Sequence, residues 1–109
     1  NEFGGEIPET YGVPLSEIQE GIKHGVRKVN IDTDLRLAST ASIRKFLTGN
    51  PSEFDPRKYL AASQHAMKDV VVARYEAFGT AGHADKIQAK SLDAMFIHYA
   101  AGELTPLIA

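Results

Sequence analysis

Apolar residues recur every three or four positions in four stretches of the chain, and this spacing predicts four helices. The first helix is predicted to begin at a capping box formed by Ser16 and Gln19 and to end just before Gly25. The second is predicted to begin within residues 32–34, where Asp and Thr side chains can cap it, and to be broken at Gly49.

The last two helices each have a capping residue at their predicted start. Asp55 is a suitable N-cap because Pro56 follows it at the first helical position, and this third helix runs to about Phe78. Ser91 is predicted to cap the fourth helix, which Gly102 ends. Their apolar faces are predicted to comprise Leu60, Met67, Val71, Tyr75 and Phe78 in the third helix and Leu92, Met95, Phe96 and Tyr99 in the fourth.

The stretch KVNIDTD, residues 28–34, breaks the helical pattern. β-branched and polar residues alternate in it, which predicts a strand over about residues 26–31 with Asn30 on its polar face. The run then ends in three oxygen-bearing side chains that begin at Asp32. From the residues alone, simple helix capping is favoured over a ligand site at the carboxyl end of a parallel strand.

A single strand cannot be a complete structure, because its backbone N–H and C=O groups would be unpaired on both edges. Strand and helix in alternation are typical of a parallel α/β sheet. The 109 residues contain only one predicted strand. We therefore expect the chain to be a piece of a larger α/β protein whose other strands come from another chain or from a missing segment.

The composition excludes several classes of protein. The 43% hydrophobic and 24% charged residues are typical of one small globular domain. The net charge of −2 gives no reason to expect a nucleic-acid partner, and the lack of cysteine excludes disulfides and thiolate metal sites. No apolar run is long enough for a membrane span, so no membrane partner and a cytoplasmic location are expected. Residues 1–13, with three glycines and a proline, are predicted to form a loop.

The histidines do not predict a metal site. They lie far apart in the sequence and lack the H-x-x-x-H spacing that places two ligands on one helical face. Surface or packing roles are favoured over a zinc site for His24, His65, His83 and His98.

Three stretches of the chain resemble the class II, metal-dependent fructose-1,6-bisphosphate aldolases. They are GVPLSEIQEGIKHGVRKVNIDTDLRLA at residues 12–38, SEFDPRKYL at 52–60 and EAFGTAGHADKI at 76–87. The likeness covers nearly the whole chain and is closest to the branch that includes enzymes of the carbon-fixation (Calvin) cycle. The resemblance suggests the C-terminal third of such an enzyme.

That resemblance implies a fold in the α/β class, namely the C-terminal part of a (β/α)8 TIM barrel that is incomplete on its own. Residues 26–31 would be the eighth barrel strand. Residues 1–47 would form the last helix–strand–helix unit with its preceding loop, and residues 48–109 a C-terminal helical extension.

The activity implied by the resemblance is the reversible retro-aldol cleavage of fructose 1,6-bisphosphate to dihydroxyacetone phosphate and glyceraldehyde 3-phosphate. A zinc ion would polarise the ketone as a Lewis acid. The family's three zinc-binding histidines and its catalytic acid lie upstream, so no catalytic residue or metal ligand is assigned here and the isolated chain is expected to be inactive. Sedoheptulose or tagatose bisphosphate remains an alternative substrate, and a non-catalytic helical interaction module remains an alternative function.

The resemblance also implies four substrate-binding residues. Asn30 would hydrogen-bond the enediolate region of the substrate. Asp32 and Thr33 would help to bind the C1 phosphate through main-chain N–H groups and the Thr33 hydroxyl. Arg57 would bind the distal C6 phosphate from a neighbouring subunit, a task that suits the planar guanidinium fork and requires a homo-oligomer of at least two subunits.

Overall fold

The computed structural model describes residues 1–8 and 12–103, and its regular elements are all helical. Residues 9–11 of the predicted loop and residues 104–109 at the C-terminal end lie outside the described part. The helices, in chain order, are α1 (Leu15–Lys23), α2 (Thr33–Gly49), α3 (Pro56–Ala77) and α4 (Leu92–Ala100), with a short 3-10 helix at Ala84–Lys86 before α4.

The helices α2 and α3 pack side by side as an antiparallel hairpin. The Asp34 side chain near the start of α2 pairs with Arg74 near the end of α3. Ser39 and Ser63 hydrogen-bond to each other, with 2.7 Å between their hydroxyl oxygens, where the two helices touch. Ser63 is only 3% exposed. Because both side chains are small, the helices can approach closely at this point. The hydrogen bond between the two hydroxyls also gives each polar group a partner.

Most of the predicted helix boundaries are confirmed. The Asp55 carboxylate accepts a hydrogen bond from the Arg57 backbone N–H at 3.0 Å, so it caps α3. The Ser91 hydroxyl accepts from the Ala94 N–H at 3.1 Å and caps α4. Beyond α4, Gly102 has a φ of 72°, a left-handed conformation that glycine adopts without steric cost.

The predicted capping box at the start of α1 is wrong. The helix begins at Leu15 with Pro14 in the N-cap position, so Ser16 already lies within the first turn and cannot serve as the cap. Gln19 does not reach back to the helix start either. Its side-chain amide donates to the Ala77 carbonyl at 3.0 Å and joins α1 to the end of α3.

The predicted strand over residues 26–31 is not formed, and no strand occurs among residues 1–8 and 12–103. The physical reason is that a strand is defined by hydrogen bonds to a neighbouring strand, and the described residues provide no second strand. Over residues 28–32 the alternating burial of a strand is nevertheless present, although residues 26–28 are all exposed. Val29 and Ile31 are half-buried, whereas Lys28, Asn30 and Asp32 are exposed.

The chain has an extended shape with little core. The radius of gyration is 19.7 Å, whereas a compact domain of this length would have about 13 Å. No hydrophobic side chain is fully buried among the described residues. The predicted apolar faces are therefore only partly covered, and several of their members are exposed, namely Leu60, Tyr75, Leu92, Phe96 and Tyr99. Within the described ranges, no helix is both long enough and apolar enough to cross a membrane.

Candidate functional site

The segment that precedes α2 presents a row of polar side chains to solvent. Asn30 is exposed, and its side-chain oxygen accepts a hydrogen bond from the Lys28 ammonium group. Because that contact uses only the amide oxygen, the amide N–H₂ of Asn30 is left to donate elsewhere. Two positions on, Asp32 and Thr33 are exposed at the start of α2. The structure thus brings three of the four predicted site residues to one end of α2.

Asp32 occupies the N-cap position of α2 but does not cap the helix with its side chain. Its carboxylate instead accepts from Nε of Arg36, one turn further along, at 2.7 Å. The first N–H groups of an α-helix have no partner within the helix, so those of α2 remain available to an anion. The Arg36 guanidinium also offsets the Asp32 charge, which reduces the repulsion that a bound phosphate would meet there.

Asp34 joins three parts of the chain, a role that the sequence did not indicate. One carboxylate oxygen accepts from the Gly12 N–H at 2.8 Å and the other accepts from Nη2 of Arg74 at 2.6 Å. Both charged side chains are 18% exposed. The Gly12 N–H, together with the Arg74 guanidinium, holds the pKa of Asp34 below its ordinary value of 3.8 although burial opposes the shift. The partners lie 22 and 40 positions away, so no local pattern predicts the cluster.

Arg57 lies in the first turn of α3 and is held by the residue that caps the helix. Its Nε is 3.0 Å from one Asp55 oxygen and 3.1 Å from the other, and its Nη2 is 2.7 Å from the second oxygen. The side-chain hydrogen bond to Arg57 lowers the pKa of Asp55, with the backbone N–H adding to the effect. A D-P-R sequence could have indicated this pair, because a carboxylate at the N-cap lies over the first turn.

The structure does not bring Arg57 near the other three predicted residues. Thr33 lies at the end of the hairpin where Asp34 meets Arg74, and Arg57 lies at the opposite end of α3. The seventeen positions from Arg57 to Arg74 correspond to about 25 Å along the helix axis at a rise of about 1.5 Å per residue. That distance exceeds the length of a six-carbon sugar bisphosphate.

The described residues do not fit a metal ion. No group of three His, Asp or Glu side chains in residues 1–8 and 12–103 is arranged to hold one. The histidines have local partners instead: His24 pairs with Glu20, His65 with the Ala61 carbonyl, His83 with Lys86 and His98 with Glu103.

Comparison with known proteins identifies the family. A sequence profile described as "Fructose-bisphosphate aldolase class-II" matches residues 9–83. The chain is 70% identical over 108 residues to a fructose-bisphosphate aldolase of Stutzerimonas stutzeri and 68% identical over 108 residues to one of Pseudomonas aeruginosa, in each case over 99% of this chain. The chain spans about 30% of the length of these two relatives.

A shorter relative matches over almost its whole length. The "Fructose-bisphosphate aldolase 2" of Rhodobacter capsulatus is 56% identical over 106 residues, which cover 97% of this chain and 93% of that protein. The family profile spans α1, α2 and α3 and all four residues predicted to bind substrate. Since the profile covers most of the chain, the chain belongs to the class-II fructose-bisphosphate aldolase family.

Proposed function

We propose that the full protein containing this chain cleaves fructose 1,6-bisphosphate reversibly to dihydroxyacetone phosphate and glyceraldehyde 3-phosphate. The observation that carries the proposal is the family match over residues 9–83, together with identities of 56–70% to proteins named fructose-bisphosphate aldolase. A role in the carbon-fixation cycle is part of the proposal and rests on the sequence resemblance alone. Purified full protein should be assayed for this cleavage, and failure to cleave fructose 1,6-bisphosphate would contradict the proposal.

Within that protein, residues 26–31 would form the eighth strand of a TIM barrel. The half-buried Val29 and Ile31 and the exposed Asn30 support this, because side chains alternate between the two faces of a barrel strand. We propose residues 1–47 as the last barrel unit and residues 48–109 as a helical extension.

At the carboxyl end of that strand, Thr33 and the first N–H groups of α2 would bind the C1 phosphate. The support is that the Asp32 side chain does not cap α2. The first N–H groups of the helix are therefore available to donate to an anionic ligand. The contact between Asn30 and Lys28 uses only the amide oxygen of Asn30. The amide N–H₂ of Asn30 would therefore donate a hydrogen bond to the enediolate oxygen. Active sites of TIM barrels lie at this end of the strands.

Arg57 would bind the distal phosphate of a substrate held by another subunit. The support is geometric, because Arg57 and Thr33 lie about 25 Å apart along one hairpin. One chain therefore could not hold both phosphates of a single six-carbon substrate with these two residues. Two copies of the chain could do so, and the proposed enzyme is accordingly at least a dimer.

Zinc is part of the proposal, but its ligands are not among the described residues. Metal-assisted polarisation of the substrate carbonyl is the chemistry that zinc supplies in such enzymes. The residues of this chain would contribute the binding and orientation of the two phosphates.

Thr33→Val tests the C1 phosphate site. Valine keeps the shape of threonine but removes the hydroxyl donor, so the affinity of the full protein for dihydroxyacetone phosphate should fall about tenfold to hundredfold, the scale for one hydrogen bond to a charged group. Isothermal titration would measure the affinity, and the metal content should stay unchanged. Thr48→Val, at an exposed position near the other end of α2, is the matched control. Equal affinity in Thr33→Val and the parent protein would remove Thr33 from the site.

The isolated 109-residue chain should have no aldolase activity, with or without added zinc. The reason is that the described residues provide no metal-binding group and little hydrophobic core. A coupled assay of the purified chain would measure this, with the full protein as the positive control. Zinc-dependent turnover by the isolated chain would contradict the proposal that the zinc ligands lie outside this chain. Cooperative urea unfolding of an inactive isolated chain would instead favour a helical interaction module.

A further inference from the structure

The turn before α3 contains two neighbouring ion pairs with different partners. Asp55 pairs with Arg57 at 2.7 Å, and Glu53 pairs with Lys58 at 2.5 Å. Glu53 also accepts from the backbone N–H groups of Phe54 and Asp55, so it shapes the turn itself. Only the first pair involves the arginine proposed to bind the distal phosphate.

The two members of the Asp55–Arg57 pair differ in how firmly they are held. The Asp55 side chain is 21% exposed and is fixed as the N-cap of α3, whereas the Arg57 side chain is 89% exposed. A long exposed arginine side chain has many rotamers and loses that freedom when it binds a ligand. A fixed carboxylate that holds the guanidinium beforehand reduces this loss.

The geometry of the contact leaves part of the guanidinium available. Asp55 engages the edge formed by Nε and Nη2, and Nη1 takes part in none of the described hydrogen bonds of Arg57. A guanidinium has five N–H donors in one plane, so a second anion can bind along the edge formed by Nη1 and Nη2. The carboxylate and a phosphate can therefore bind Arg57 at the same time on different edges.

We propose that Asp55 is a positioning residue for the distal phosphate, holding the Nε–Nη2 edge of Arg57 so that the Nη1–Nη2 edge is presented to the phosphate oxygens. The inference rests on the proposed function of Arg57 and assigns Asp55 no contact with the substrate. It predicts that the charge of Asp55 matters for the bisphosphate substrate beyond its role in capping α3.

Asp55→Asn in the full protein tests the inference. Asparagine caps a helix about as well as aspartate, but it cannot form the charged contact with the guanidinium. The KM for fructose 1,6-bisphosphate should rise about three- to tenfold, the scale for ordering one long side chain, while the affinity for dihydroxyacetone phosphate and the thermal midpoint stay unchanged. Glu53→Gln, which weakens the neighbouring Glu53–Lys58 pair, is the matched control and should leave this KM unchanged.

A double-mutant cycle with Arg57→Ala separates this inference from the proposed function. If Asp55 acts through Arg57, adding Asp55→Asn to Arg57→Ala should raise the KM no further. A normal KM in Asp55→Asn, with a raised KM in Arg57→Ala, would overturn the positioning role and leave the proposed function intact. No change in Arg57→Ala itself would overturn the function proposed for Arg57. Asp55→Ser, which also retains a capping oxygen, provides a second variant if Asp55→Asn does not fold.

Discussion

Replacing Arg57 with alanine in the full protein should raise the KM for fructose 1,6-bisphosphate about tenfold to hundredfold and lower kcat as well. The guanidinium can donate two parallel hydrogen bonds to a phosphate, and alanine removes both together with the positive charge. The turnover should also suffer, because a contact with a remote phosphate helps to orient the bond that is cleaved. Steady-state kinetics of the purified variant would measure both constants.

Three controls separate phosphate binding from other effects of Arg57→Ala. Fructose 1-phosphate lacks the distal phosphate, so its cleavage should be affected much less; equal loss with both substrates would show that Arg57 does not bind that phosphate. Arg57→Lys should restore only part of the activity, because lysine keeps the charge but not the paired geometry. Lys68→Ala removes another exposed cation from α3 and should leave the kinetics unchanged.

Hybrid oligomers would test whether Arg57 acts on a neighbouring subunit. Subunits with Arg57→Ala can be mixed with subunits disabled in their metal site. The Arg57→Ala subunit keeps its metal site, and the metal-disabled subunit keeps Arg57. If Arg57 acts across the subunit boundary, the two parts together complete one active site, so activity should be recovered. Verified hybrids that remain inactive would contradict a shared site.

Asp34→Ala should destabilise the full protein by about 1 to 3 kcal/mol, the usual cost of leaving a largely buried polar partner unsatisfied. The substitution removes the acceptor of the Gly12 N–H and leaves Arg74, which is 18% exposed, without its ion-pair partner. Urea denaturation would measure the loss. Glu20→Ala, which removes an exposed carboxylate on α1 that pairs with Lys23 and His24, is the control and should have little effect. A similar loss in both variants would contradict a special role for Asp34.

The same carboxylate should make stability depend on pH in acid. Its pKa is lowered in the folded state, mainly by the Gly12 N–H, so the ionised form is the one that folding favours. Its contribution is present above the ordinary pKa of 3.8 and is lost as the pH falls through the lower folded-state value. Asp34→Ala should therefore show a weaker loss of stability with acid than the parent protein.

Helix boundaries were largely predictable because their causes are local. The N-cap of α3 depends on Asp55 and on Pro56 beside it. The limits of α4 depend on Ser91 at its start and on Gly102 just beyond its end. The capping box at Ser16 failed for an equally local reason, since the N-cap of α1 is Pro14, two residues before the predicted Ser16.

The strand over residues 26–31 shows where local pattern is insufficient. Burial alternates over residues 28–32 but not over residues 26–28, which are all exposed. A strand also requires a partner strand, and none is available among the described residues. Two features of the candidate site could likewise not be predicted from neighbouring residues in the sequence. The Asp34 cluster joins residues 22 and 40 positions apart, and the separation of Arg57 from Thr33 follows from the antiparallel packing of α2 and α3.

The sequence by itself determined the four helices, the alternating segment before α2 and the membership of an aldolase family, because each depends on side chains close together in the chain or on motifs preserved as strings of residues. Only the tertiary structure decided which side chains hold one another. Asp34 binds Gly12 and Arg74 rather than capping α2, and Arg57 lies at the far end of the hairpin from Thr33. The physical reason is that hydrogen bonds and ion pairs act over a few ångströms, and packing decides which distant residues come within that range.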